Sequence, residues 1–116
     1  MEVPLFREAI GVLSDDGSGV GRAVAMLGPE KYGDVWHVSL MTTTSDSTTD
    51  VQLRVYRNIE SAGAMVDSTY SGRQATSPAD LILRTGEKLV AVWSKGDLGA
   101  NCTIRAEGTI SSMRMG

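Results

Sequence analysis

The sequence predicts an all-β domain: about eight antiparallel strands packed as a two-sheet sandwich, jelly-roll-like in build. Three observations predict it. Apolar and polar residues alternate over short segments, and these segments recur between turn signals. Thirteen glycines are spread through the 116 residues, among many Ser and Thr. No segment carries a convincing helical period; the nearest, Ile59 to Asp67, has Gly63 in its middle.

Residues 1–6, with Pro4, read as an extended N-terminal arm, and residues 7–116 as one sandwich domain. The first strand is expected over Arg7 to Leu13. Asp15-Asp16-Gly17-Ser18-Gly19 supplies turn chemistry. Val20 to Leu27 follows, with Val20, Val24 and Met26 sharing one face with Arg22. Gly28-Pro29 ends it. Asp34 to Met41 is the clearest strand of the first half: Trp36, Val38 and Leu40 point one way, and Val35, His37, Ser39 and Met41 the other. Thr42 to Asp50 is nearly pure Thr, Ser and Asp. Its flanks could extend the strands, and its centre reads as a surface connection.

Val51 to Arg57 alternates cleanly, with Val51, Leu53 and Val55 opposite Gln52, Arg54 and Tyr56. Met65 to Tyr70 is a short strand closed by Ser71-Gly72. Pro78 precedes Asp80 to Arg84, where Leu81 and Leu83 alternate with Ile82. After Thr85-Gly86-Glu87, Lys88 to Ser94 is nearly all apolar, as a strand buried on both faces would be. Lys95 to Gly99 turns the chain. Ala100 to Ile110 is the last strand, with Cys102, Ile104, Ala106 and Ile110 on one side.

Composition narrows function. The formal net charge is −3, which argues against binding nucleic acid by phosphate neutralisation. No apolar run approaches the roughly 20 residues of a membrane helix. The N-terminal run lacks a basic stretch followed by an apolar one, so no secretory leader is expected. One cysteine forms no internal disulfide. No cofactor and no metal site is expected.

Individual residues point to little catalysis. Cys102 and His37 could be nucleophile and base, but Cys102 sits on the apolar side of its strand, where a buried thiol is the ordinary role. Asp15, Asp16 and Ser18 could ligate calcium, but they lack a later bidentate acid; a polar turn is the plainer reading. Gly17 to Arg22 lacks the Lys-Ser/Thr ending and the helix of a phosphate loop. Asp34, Asp50, Asp67, Asp80 and Asp97 fall at strand ends and in turns, where Asp serves the backbone. Asn101-Cys102-Thr103 matches a glycosylation sequon, relevant only in a eukaryotic secretory setting. Among the aromatics, Trp36 and Trp93 are expected in the core. Tyr56 and Tyr70 are expected to be exposed or interfacial, with sugar stacking as one use. An enzyme is not expected.

From Gly33 onward the order of motifs is informative: Gly33-Asp34-Val35-Trp36-His37-Val38, a Thr/Ser-rich loop, Leu53-Arg54-Val55-Tyr56-Arg57, and Asp67-Ser68-Thr69-Tyr70-Ser71-Gly72. Then come Gly86-Glu87-Lys88-Leu89-Val90-Ala91-Val92-Trp93 and Gly96-Asp97-Leu98-Gly99-Ala100. This order resembles small β-sandwich virion structural proteins of tailed bacteriophages of actinobacteria. The resemblance implies a virion component assembled in the bacterial cytoplasm. It implies a capsid decoration protein that clamps the major capsid protein lattice, commonly as a trimer. The tail is the other position it leaves open, with tail proteins as partners or with a carbohydrate-binding role at the host surface. The partner-binding residues expected on these readings are Val3, Leu5 and Phe6 in the arm, and Tyr56 and Tyr70. Leu5 and Phe6 could equally close the bottom of the sandwich.

Overall fold

The computed structural model describes residues 2–15, 17, 21–48, 51–59, 62–69 and 74–112. Its strands are Glu2–Val12 (β1), Ser14–Asp15 (β2), Gly21–Leu27 (β3), Asp34–Ser45 (β4), Gln52–Arg57 (β5), Met65–Thr69 (β6), Gln74–Arg84 (β7), Leu89–Ser94 (β8) and Asn101–Ser112 (β9). A single 3-10 turn, Ala62–Ala64, lies before β6. The front sheet has the order β1-β9-β4-β7 and the back sheet β2-β3-β8-β5-β6. Every strand pairing among the described residues is antiparallel. With the two-residue β2 set aside, eight strands remain, and the chain crosses between the sheets at every step except β5 to β6. That is a jelly-roll order.

The core lies between the sheets. Leu53 and Val55 of β5 face it beside Val51, and Cys102, Ile104, Ala106 and Ile110 of β9 face it from the front sheet. Both tryptophans are core residues. Ala23 and Leu53 flank Trp93 on the neighbouring strands. The indole therefore sets what fits beside it: a small residue on β3 and a branched one on β5.

Several expectations are corrected. Residues 2–6 are not a detached arm. They are the first half of β1 and pair with β9 from Glu2↔Ser111 to Phe6↔Glu107. Pro4 is compatible with this because β1 is an edge strand, where a missing N–H costs no ladder bond. The same holds for Pro78, which lies inside the edge strand β7 rather than ahead of it. On β3 the core face is Ala23, Ala25 and Leu27, while Val24 and Met26 face outward.

On β4 the alternation breaks. Trp36 and Val38 face the core, but a register shift between Val38 and Leu40 carries Met41 inward and leaves Leu40 half-buried. Gly108 stands opposite Val38, and a Cβ there would collide with the His37 carbonyl oxygen. The bulge and the glycine require one another.

The polar stretch after β4 is also less exposed than expected. Ser47 is buried; its hydroxyl accepts from the Asp97 N–H at 2.9 Å, and the Thr48 N–H donates to the Asp97 carboxylate at 2.7 Å. The Asn101 N–H donates to Asp46 at 2.7 Å. These bonds pull the β4–β5 connection onto the β8–β9 turn.

Gly108→Ala should lower unfolding stability by about 2–4 kcal/mol, in the range of overpacking against fixed backbone. Pro4→Ala, on an open strand edge, should shift it by less than about 0.5 kcal/mol. Urea denaturation measures both; a neutral Gly108→Ala would mean the bulge is not constrained as described.

Candidate functional site

Two surfaces stand out, one on the back sheet and one between the edges of the two sheets. The first is its outer face. Cross-strand register sets Met26 beside Val90, Val90 beside Tyr56, and Tyr56 beside Met65. One apolar row thus crosses β3, β8, β5 and β6. Val24 stands opposite Val92 in the next row. Tyr56, Val90 and Val92 form their own buried cluster, separate from the main core. No second layer covers this cluster among the described residues; Met26, at 55% exposure, and Met65, at 46%, are its open ends. Arg54 shares the row of Val92, and Arg22 stands opposite Ser94. An apolar patch with guanidinium groups beside it suits a protein partner better than bulk water.

The second surface is a groove of about 410 Å³ between the two sheets at their β1 and β3 edges. The edges meet at one point, where Gly11 lies against the Val24 backbone so closely that a Cβ would meet the Val24 carbonyl oxygen at 2.9 Å. Toward Arg7 on β1 and Leu27 on β3 the groove opens. Trp36, Ile110 and Leu27 line it with apolar surface, and Arg7, Glu8, Glu30 and Lys31 supply charge. Pro29 and Gly28 shape its end. Gly28 approaches the Glu87 carbonyl oxygen so closely that no side chain would fit there.

The turn that faces Gly28 is fixed by one carboxylate. Glu87 accepts the Arg84 N–H at 2.7 Å and an Arg57 Nη2–H at 3.0 Å. Arg57 also donates to the Ile82 carbonyl at 2.8 Å. The backbone bond from Arg84 first, and Arg57 second, hold the Glu87 carboxyl below its ordinary range. This ties the β7–β8 turn to the end of β5.

The residues expected to meet partners have separate fates. Leu5 is in the core, so it offers nothing to a partner. Val3 and Phe6 are exposed on β1, and Phe6 lies under the Arg105 guanidinium at 5.0 Å from the ring centroid. Tyr56 is buried beneath the apolar row, at 6% exposure, rather than exposed. Tyr70 lies outside the described residues. The structure does not bring Val3 and Phe6 together with Tyr56, since β1 and β5 belong to different sheets.

His37 and Cys102 are likewise apart. Cys102 is buried in the core beside Ser45, and burial pushes its thiol above the ordinary range. His37 is exposed on the other side of the front sheet, 2.8 Å from Asp80. Asp15 accepts the Gly17 N–H at 2.8 Å, the expected turn chemistry; Asp16 and Ser18 lie outside the described residues. Among the described residues no group of three His, Cys, Asp or Glu is placed to hold a metal ion.

Sequence reasoning missed Arg7, Glu30 and Lys31 as groove residues, and Val24 and Met26 as surface. The available signal was the loop from Pro29 to Gly33, where charge and an aromatic sit together in a connection. Tyr32 in that loop is 94% exposed.

Glu87→Gln should flatten the acid limb of stability. The depressed carboxyl contributes above its unfolded pKa and loses that contribution as pH falls through the folded value. Wild type should therefore lose more stability than the variant between about pH 5 and pH 3, by a fraction of 1 kcal/mol. Parallel urea titrations across that range check it. Cys102 should react with a thiol reagent only on unfolding; fast native-state labelling would contradict its burial.

No protein-family model matches the chain, and no curated protein matches it. Among solved structures, it is similar to a family 35 carbohydrate-binding module from an environmental isolate. That alignment has 15% identity over 98% of this chain and 95% of the other, with a TM-score of 0.46. It is also similar to a family two carbohydrate esterase from Clostridium thermocellum, solved in complex with cellohexaose. That alignment has 11% identity, covers 90% of this chain and 33% of the esterase chain, and has a TM-score of 0.40.

Proposed function

We propose that this chain is a bacteriophage virion structural protein: a capsid decoration protein that binds the assembled major capsid lattice and stabilises it. Its role is binding, not catalysis. The observation that carries the reading is the apolar row on the outer face of the back sheet, Met26–Val90–Tyr56–Met65, whose ends Met26 and Met65 are exposed, with exposed Val24 beside it. Fully burying an exposed Val or Met side chain contributes about 1.5–3 kcal/mol. Val24, Met26 and Met65 together therefore offer a strong anchor against a complementary protein surface. The resemblance of the motif order to actinobacteriophage virion proteins supports the choice of partner class.

The mechanism is linkage. A protein that binds the assembled lattice better than free subunits stabilises the lattice by mass action. A trimer of this chain at a symmetry axis would engage several lattice sites at once, so modest affinity per site suffices.

A second reading, a tail-associated carbohydrate-binding module, draws on Tyr32, whose ring is open to solvent. Of the two tyrosines expected to stack on sugar, Tyr56 is buried and Tyr70 lies outside the described residues.

Val24→Glu and Met65→Glu lie on the apolar face and outside the groove. Each should reduce occupancy on capsids stripped of this chain at least tenfold, since 1.4 kcal/mol is a factor of ten. Both should keep the wild-type unfolding midpoint. Co-sedimentation with stripped capsids measures occupancy. Undiminished binding by both variants would remove the face from the account. Wild-type chain that fails to bind capsids, while Tyr32→Ala abolishes glycan binding, would favour the tail reading.

A further inference from the structure

The groove beside β1 is walled by two strand edges. β1 ends the front sheet and pairs only with β9. β3 pairs with β8 along Arg22 to Leu27, but on its other side β2 covers only Gly21 and Arg22. Among the described residues no ladder joins β1 to β3. Alternate N–H and C=O groups of Ala25 to Leu27 therefore point away from β8 with no strand to receive them, and β1 likewise has a side without a partner strand. The close approach of Gly11 and Val24 shuts the groove at one end.

The lining fits the same kind of occupant. Trp36, Ile110 and Leu27 give an apolar floor. Arg7, Glu8, Glu30 and Lys31 place both signs of charge around it. Arg7 donates to its neighbour's carbonyl, the Phe6 oxygen, at 3.0 Å. No ion pair to Lys31 or Glu30 is seen among the described residues. A ligand that satisfies this set brings backbone donors and acceptors along one line, one large apolar group for the floor, and charged groups of both signs beside it. An extended peptide has all of these.

We propose that the groove binds an extended peptide segment of a partner protein by strand addition to the β1 or β3 edge. The segment is about three or four residues long, the length of free β3 edge, with a large apolar residue seated over Trp36 and Ile110. An acidic residue to one side faces Arg7 and Lys31, and a basic one to the other faces Glu30. On the reading given under Proposed function, the segment belongs to the major capsid protein. The groove's chemistry itself does not depend on that reading.

The test pans the full chain against a random 12-residue peptide library. In parallel it probes an array of overlapping 12-residue peptides that spans the major capsid protein. The expected binders carry a large apolar residue between charged ones. Arg7→Ala and Lys31→Ala should each weaken them about tenfold, with the unfolding midpoint unchanged. N-methylation at alternate peptide nitrogens should abolish binding on one parity and spare it on the other, because only alternate N–H groups enter a ladder. Asp80→Asn, exposed on β7 and outside the groove lining, should leave binding unchanged. Library binders with this profile, but none from the capsid array, would uphold the groove and count against the capsid as its source. No binders from either source would overturn the proposal. So would binders indifferent to both N-methylation parities, or a groove that Arg7→Ala shows to bind oligosaccharide in place of peptide.

Discussion

β8 faces two apolar environments, and the molecule is organised around that constraint. Leu89, Ala91 and Trp93 enter the core between the sheets. Val90 and Val92, on the other side of the same strand, are buried with Tyr56 in a cluster separate from the main core. A strand with one wet face would carry polar residues at those two positions. Apolar residues there, extended outward by the exposed Met26 and Met65, give the outer face of the back sheet an apolar stripe, the face proposed to meet a partner. Both ends of the strand are pinned. The Lys88 N–H donates to the Asn58 side chain at 2.9 Å, and Asn58 returns a backbone bond at 2.8 Å from a left-handed conformation. At the far end the Lys95 N–H donates to the Gly21 carbonyl at 3.1 Å. A rigid strand holds its outer side chains in fixed positions, which lowers the ordering cost when a partner binds.

The edges of the sandwich are managed unevenly. β1 and β7, the edges of the front sheet, each carry a proline, which limits pairing with stray chains. The upper half of β1 is closed off where Gly11 meets β3. Only the segment from Arg7 toward the Gly28–Gly33 loop is left open above an apolar floor. The Glu87 clamp fixes the turn against which Gly28 packs, so the mouth of that opening rests on a tied turn.

Much of the fold was legible in the sequence, and the failures have physical causes. Val51 to Arg57 alternated cleanly, and its core face was read correctly. Lys88 to Ser94 was read as buried on both faces, and it is. On β3, bulk misled: Val24 and Met26 looked like core, yet Trp93 fills the space beside Ala23, and only cross-strand register reveals that the small residues face inward. The exchange of Leu40 for Met41 depends on a bulge whose steric cause, Gly108, lies far along the chain. Pro4 and Pro78 signalled breaks because sequence does not tell an edge strand from a central one. The candidate surfaces were less legible than the fold. Each is assembled from strands distant in sequence, and neither carries a catalytic motif to mark it. Tyr56 illustrates the difficulty: its outward parity was read correctly, but its burial depends on Val90, its neighbour across the ladder.

Lys88 and Lys95 flank β8 at its two ends, while Lys31 borders the groove. Cross-linking mass spectrometry on intact phage particles containing this chain therefore reads the attachment geometry directly. The account predicts cross-links from Lys88 and Lys95 to the major capsid protein. Cross-links from these lysines to tail proteins alone, or particles without the chain, would contradict it.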